Sequence, residues 1–155
     1  MTEWRRFGRG FVYAARGLRV CVREERNFRV HLSVMGHLFL YLPFFSVTRG
    51  QVCLLVMLCG LVIALEAVNS ALERAVDCSG EVSTRARAAK DIAAGAVLVA
   101  ALTAVICGII LLWQPSAFAA MGRFFLRYPF AAAGQLVLFA GVVQWIGGTA
   151  PKKRN

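Results

Sequence analysis

With 155 residues, 59% of them apolar, and a mean hydropathy of +0.63, the chain carries more uninterrupted hydrophobic sequence than a soluble domain of its size needs. Its net charge of +10 comes from 18 basic residues against eight acidic ones, and every acid lies at or before Asp91, so acids are placed selectively while the basic residues follow from membrane topology and no nucleic-acid partner is needed to explain them. Five cysteines with no CxxC pair exclude a disulfide framework and a zinc site, and the arginine-rich first 30 residues lack the apolar core and small-residue cleavage site of a signal peptide.

In chain order, residues 4–29 interleave Trp4, Phe7, Phe11, Val12, Leu18, Val20 and Val22 with eight arginines. The pattern predicts an amphipathic helix, or two short ones, lying in the headgroup region. For most of these arginines a basic anchor is as good a reading as a functional one. Residues 30–47 form the first expected span, interrupted by His31, His37 and Pro43, and Thr48-Arg49-Gly50-Gln51 an outer turn. A second span is expected over 52–76, a polar loop containing Gly80, Glu81, Arg85 and Arg87 over 77–90, and a third span over 92–113. A connector follows at 114–127, then a fourth apolar run over 130–146 within an additional segment, 128–155, that ends Pro-Lys-Lys-Arg-Asn. Positive residues on the inside put the amino terminus, the 77–90 loop and the tail in the cytoplasm, with Arg123 and Arg127 in mild conflict. The fold expected is all-α: a surface helix, three core transmembrane helices and a fourth transmembrane helix, in one domain that works in several copies if its site requires them.

The most informative string is Glu66-Ala-Val-Asn69-Ser-Ala-Leu-Glu73-Arg-Ala-Val-Asp77. At about 100° per residue these four polar side chains share a band about 80° wide. Carboxylates are costly at membrane depth, so such a stripe marks a functional site. Glu73 and Asp77 approach the cytoplasmic interface, and Glu66 lies about 10 Å deeper by helical rise. A carboxylate at the interface suits Mg²⁺ on a nucleotide; a deeper one can take the proton of a lipid hydroxyl. The plainer alternative is interhelical charge pairing, for example of Glu73 with Arg74 or Lys90.

Two further groups ring the stripe: Glu24-Glu25-Arg26-Asn27-Phe28-Arg29-Val30-His31, and Lys90-Asp91 at the start of the third span, where helix amino-terminal N–H groups and the lysine would admit phosphate. His31 and His37, six apart, share no face for a metal. Soluble nucleotide motifs are missing: there is no GxxxxGK[ST], and Gly8-Arg9-Gly10 lacks the third glycine of a phosphate loop.

The linked acidic and Lys-Asp motifs, preceded by Glu25-Arg-Asn-Phe-Arg-Val-His31, resemble the small bacterial integral-membrane diacylglycerol kinase and undecaprenol kinase family over about residues 4–113. The resemblance implies a homotrimer of subunits with one surface helix and three transmembrane helices, composite sites between subunits, and a place in the bacterial inner membrane. It implies ATP-dependent phosphorylation of a lipid alcohol, with Glu66 as general base, Glu25 and Glu73 holding Mg²⁺ on ATP, and Lys90 and Asp91 contacting the nucleotide. Asn69 matches an orienting asparagine, and Asp77 supports the stripe. Arg6 and Tyr13 align, through Arg16-Gly17-Leu18, with ATP-contacting positions. The Asn27-Phe28-Arg29-Val30-His31 form resembles the undecaprenol branch more than the diacylglycerol branch. The fourth span departs from the three-span pattern and is expected to add packing, alter the groove mouth or anchor the tail. The competing reading is a non-enzymatic ion- or proton-coupling subunit, against which the unbroken helices around the acids count.

Overall fold

A computed structural model of the protein describes residues 3–80 and 83–148. Glu81 and the basic tail 151–155 lie outside them. Every described element is helical: α1 (Glu3–Glu24), α2 (Arg26–Tyr41), a 3-10 turn (Leu42–Phe44), α3 (Arg49–Ser79), α4 (Thr84–Leu112), α5 (Pro115–Arg127) and α6 (Pro129–Gly147).

The amphipathic segment forms one helix, α1, closed at Glu25, whose backbone turns extended (φ −99°, ψ 114°) before α2 begins. The expected outer turn at 48–51 is instead the start of α3. Thr48 and Gln51 form a reciprocal cap, with Gln51 N donating to Thr48 Oγ1 at 3.3 Å and Thr48 N to Gln51 Oε1 at 2.8 Å. The expected loop over 77–90 shrinks as well. The second span's helix runs on to Ser79, where Gly80 adopts the left-handed backbone (φ 66°) that favours glycine, and Ser83 caps α4 by accepting from Ala86 N at 3.1 Å. Residues 114–127 are no loose connector but α5, opened by Pro115 at its first turn and ended before Pro129 at Tyr128, whose backbone (φ −123°, ψ 77°) leaves the helical region.

Among the described residues, α3, α4 and α6 are long and apolar enough to cross a membrane. The expected first span is shorter than foreseen: α2 has 16 residues and stops at Tyr41, where the 3-10 turn containing Pro43 takes over. At about 1.5 Å per residue α2 reaches about 24 Å, and the turn adds a further ~6 Å. By contrast α3, with 31 residues, exceeds a hydrocarbon core of about 30 Å by roughly ten residues, which leaves room for the Glu73–Asp77 turns to emerge.

Helices α3 and α4 pack along each other, α2 lies against α3 and α6, and α1 touches α2 and α3. Both ends of the bundle are tied. At one end, Gln114 bridges back to Ser46, accepting from its N–H at 3.0 Å and donating to its carbonyl at 3.2 Å. Around that link the 3-10 turn and α5 interleave aromatic rings, Phe44 with Phe124 (5.4 Å between centroids) and Phe45 with Phe118 (5.7 Å), with Trp113 joining at 6.2 Å. Such a girdle is what a membrane–water interface favours. The other end holds the acidic stripe.

Candidate active site

The stripe predicted from spacing is one face of α3, and its exposure is graded. Glu66 is 3% exposed and Asn69 7%, Glu73 is half-buried, and Asp77 is exposed. Ser70, 2% exposed, packs beside them and was missed because a serine in an apolar helix gives no distinct signal. Asn69 Nδ2 donates to Glu73 Oε1 at 3.2 Å, while Asn69 Oδ1 is buried without a hydrogen-bond partner. A buried amide oxygen left unpaired costs about 1–3 kcal/mol, so Asn69 Oδ1 is an open position for a donor, a water or a cation.

The break between α1 and α2 delivers Glu25 to this face. Its carboxylate accepts from Arg74 Nη2 at 2.6 Å, and Glu24 pairs with Arg74 Nη1 at 3.1 Å. Arg74 thus clasps the corner to α3. The charge pairing foreseen for Glu73 with Arg74 or Lys90 is differently distributed: Lys90 Nζ meets Asp77 Oδ1 at 2.7 Å, joining the second turn of α4 to the end of α3. Because α4 begins at Thr84, the free N–H groups of its start lie there and not at Lys90-Asp91 as expected. The charges of Glu25 and Glu73 both act on Glu66, which places the three carboxylates in one electrostatic neighbourhood. Cys21, on the last turn of α1, is buried at the α1–α3 contact, and that burial pushes its thiol above its ordinary pKa.

Not every expected residue joins this group. Asp91 is exposed beside Lys90. Arg6 and Tyr13 remain on α1 away from the stripe, Arg6 within 3.9 Å of Glu3 and Tyr13 beneath the Arg16 guanidinium at 5.9 Å from its ring centre. By helical rise they stand roughly 28 and 18 Å from Glu25 along α1. Within one chain they do not reach the site.

Below the stripe lies an apolar groove of 340 Å³ between α2, α3 and α4, lined by Val30, His31, Val34, Leu55, Val62 and Ala104 among others. Val62 is one helical turn from Glu66, so the lining of the groove ends one turn from the buried carboxylate.

Among the described residues no three His, Cys, Asp or Glu side chains gather to hold a metal ion. The donors present nevertheless suit Mg²⁺, which needs only one or two carboxylates because waters and substrate phosphates complete its octahedron. Glu73 and the unpartnered Asn69 Oδ1 are hard oxygen donors side by side, with Glu25 held close by Arg74.

Comparison with known proteins gives the family. Residues 12–112 match the family described as prokaryotic diacylglycerol kinase. The chain is 34% identical over 113 residues to an undecaprenol kinase of Bacillus subtilis, covering 71% of this chain and 90% of that protein. It is 38% identical over 107 residues to a diacylglycerol kinase of Synechocystis sp., covering 68% of this chain and 61% of that protein's length. No solved structure matches the chain. A family match over residues 12–112 and two relatives named as lipid kinases set aside the reading as a non-enzymatic ion-coupling subunit: the chain belongs to the prokaryotic diacylglycerol kinase family and is a membrane lipid kinase.

Proposed function

We propose that the protein phosphorylates undecaprenol at the expense of ATP, giving the lipid monophosphate, with Glu66 as general base. The observation that carries this reading is the placement of Glu66, 3% exposed and one turn from Val62, where the apolar groove ends. A lipid tail in the groove would bring its hydroxyl to the carboxylate. Glu66 would take the hydroxyl proton as the oxygen attacks the γ-phosphorus and the bond to ADP breaks.

Mg²⁺, when bound, would neutralise phosphate charge. Glu73, Asn69 Oδ1 and Glu25 are the residues that would hold it. Lys90 and Asp91 would contact the nucleotide from the second turn of α4, with Asp77 fixing the Lys90 ammonium at 2.7 Å. Arg6 and Tyr13, remote from the stripe in one chain, would contact a nucleotide only from a neighbouring subunit, as in the homotrimer with shared sites that the family resemblance implies. The Arg-rich surface helix supports an amino terminus on the cytoplasmic side of the bacterial inner membrane.

Undecaprenol is favoured by the Asn27-Phe28-Arg29-Val30-His31 motif. The test is transfer of labelled γ-phosphate in proteoliposomes, with undecaprenol and diacylglycerol assayed in parallel. Faster turnover on undecaprenol supports the reading, and faster turnover on diacylglycerol replaces the acceptor while keeping the chemistry.

A further inference from the structure

Helix α6 lies beyond residues 12–112, the part that matches the family. Its attachment to the bundle nevertheless runs through a residue at the site's own corner. Arg29, on the first turn of α2, is 1% exposed. Its Nη1 donates to Val22 O at 3.2 Å and to Arg23 O at 3.0 Å, and its Nη2 donates to Ile146 O at 3.0 Å. All three acceptors sit in final helical turns, of α1 and of α6, where carbonyls lack intrahelical partners and the helix dipole is negative. One buried guanidinium therefore closes two helix ends at once, and the planar fork of arginine suits that task as a single ammonium would not.

The direction of the contact decides what α6 does. At about 100° per residue, Arg29 points roughly 170° away from the centre of the α2 face that lines the apolar groove. Helix α6 therefore covers the back of α2 rather than altering the groove mouth. Through that one guanidinium the end of α6 is joined to the end of α1, immediately before Glu24 and Glu25, the two carboxylates that pair with Arg74.

We infer that Arg29 is a positioning residue: it latches the end of α6 to the α1–α2 corner, and through that corner the appended helix sets the placement of Glu25 for Mg²⁺-ATP use. The inference rests on the proposed role of Glu25, but the latch itself is measured independently.

The experiment uses the full-length protein in proteoliposomes. In a background with the native cysteines replaced, spin labels at Arg19→Cys on α1 and Gln144→Cys on α6, in subunits diluted with unlabelled ones, report the α1–α6 distance. The parent gives one narrow distribution. Arg29→Met, which removes all three hydrogen bonds, broadens it and raises KM for Mg²⁺-ATP by at least about tenfold, the factor that a single charge-assisted hydrogen bond carries, while KM for the lipid and assembly are unchanged. Arg29→Lys falls between the two and carries the test if the Met variant fails to assemble. An undisturbed distance in these variants, or a broadened distance with parental KM for Mg²⁺-ATP, overturns the inference. Glu25→Gln, run alongside, keeps the parental distance while weakening Mg²⁺-ATP use. If it leaves Mg²⁺-ATP use unchanged, the role of Glu25 falls, and the distance in Arg29→Met still upholds or overturns the latch.

Discussion

Replacing Arg74 by Met should loosen α1 from α3 before it affects anything else. Arg74 is the shared partner of Glu24 at 3.1 Å and Glu25 at 2.6 Å, and the side chains are partly exposed, 40% for Arg74, 46% for Glu24 and 26% for Glu25. Screening at that exposure limits each pair to about 1 kcal/mol or less. Losing both therefore costs about 1–2 kcal/mol of docking free energy, which raises the undocked population of α1 by roughly 5- to 30-fold. Cys21 reads this out, because it is 8% exposed at the α1–α3 contact and its thiol is held neutral by burial. In a protein that keeps Cys21 alone, maleimide labelling should be slow in the parent near neutral pH and several-fold faster in Arg74→Met. High salt should narrow the difference by accelerating the parent. Equal labelling rates at low salt would show that the clasp does not hold the corner.

Glu25→Gln and Glu73→Gln should each raise the Mg²⁺ concentration needed for half-maximal activity, since an amide oxygen binds the cation more weakly than a carboxylate, and added Mg²⁺ should restore part of the rate. Titrations that superimpose on the parent's would remove both from the metal site. Asn69→Leu, which deletes the unpartnered oxygen together with the hydrogen bond to Glu73, should weaken Mg²⁺-ATP use without losing stability. A fall in thermal stability with normal kinetics would make Asn69 a packing residue. A chain ending at Arg127 should keep lipid kinase turnover, because all residues proposed for chemistry precede it, but should show the same rise in KM for Mg²⁺-ATP as Arg29→Met. Complete inactivity in a chain that still assembles would place part of α6 in the chemistry itself.

The acidic stripe was legible in sequence because helical spacing alone puts Glu66, Asn69, Glu73 and Asp77 on one face, and apolar flanks announce their depth. Helix limits were less legible. Residues 48–51 and 77–90 read as polar turns, yet Thr48 and Ser83 are caps and their polar neighbours are helical, since one capped turn absorbs charged side chains at no cost. The 114–127 segment, with two arginines and proline at its start, hides an amphipathic helix because its apolar residues pair with rings from the distant 3-10 turn. Arg29 and Arg74 were the least legible. A basic residue's partner across the fold, such as a carbonyl 117 positions away in the case of Arg29, leaves no trace in local periodicity.

The central claim is that Glu66 takes the proton of the lipid hydroxyl, and the turnover number of Glu66→Gln tests it most directly. The amide keeps the shape of the side chain in its buried site but cannot accept that proton. At saturating Mg²⁺-ATP and undecaprenol in proteoliposomes, turnover should fall by about 10²–10⁴-fold, the range a positioned base contributes, with nucleotide binding and assembly retained. Turnover within a few-fold of the parent would contradict the account.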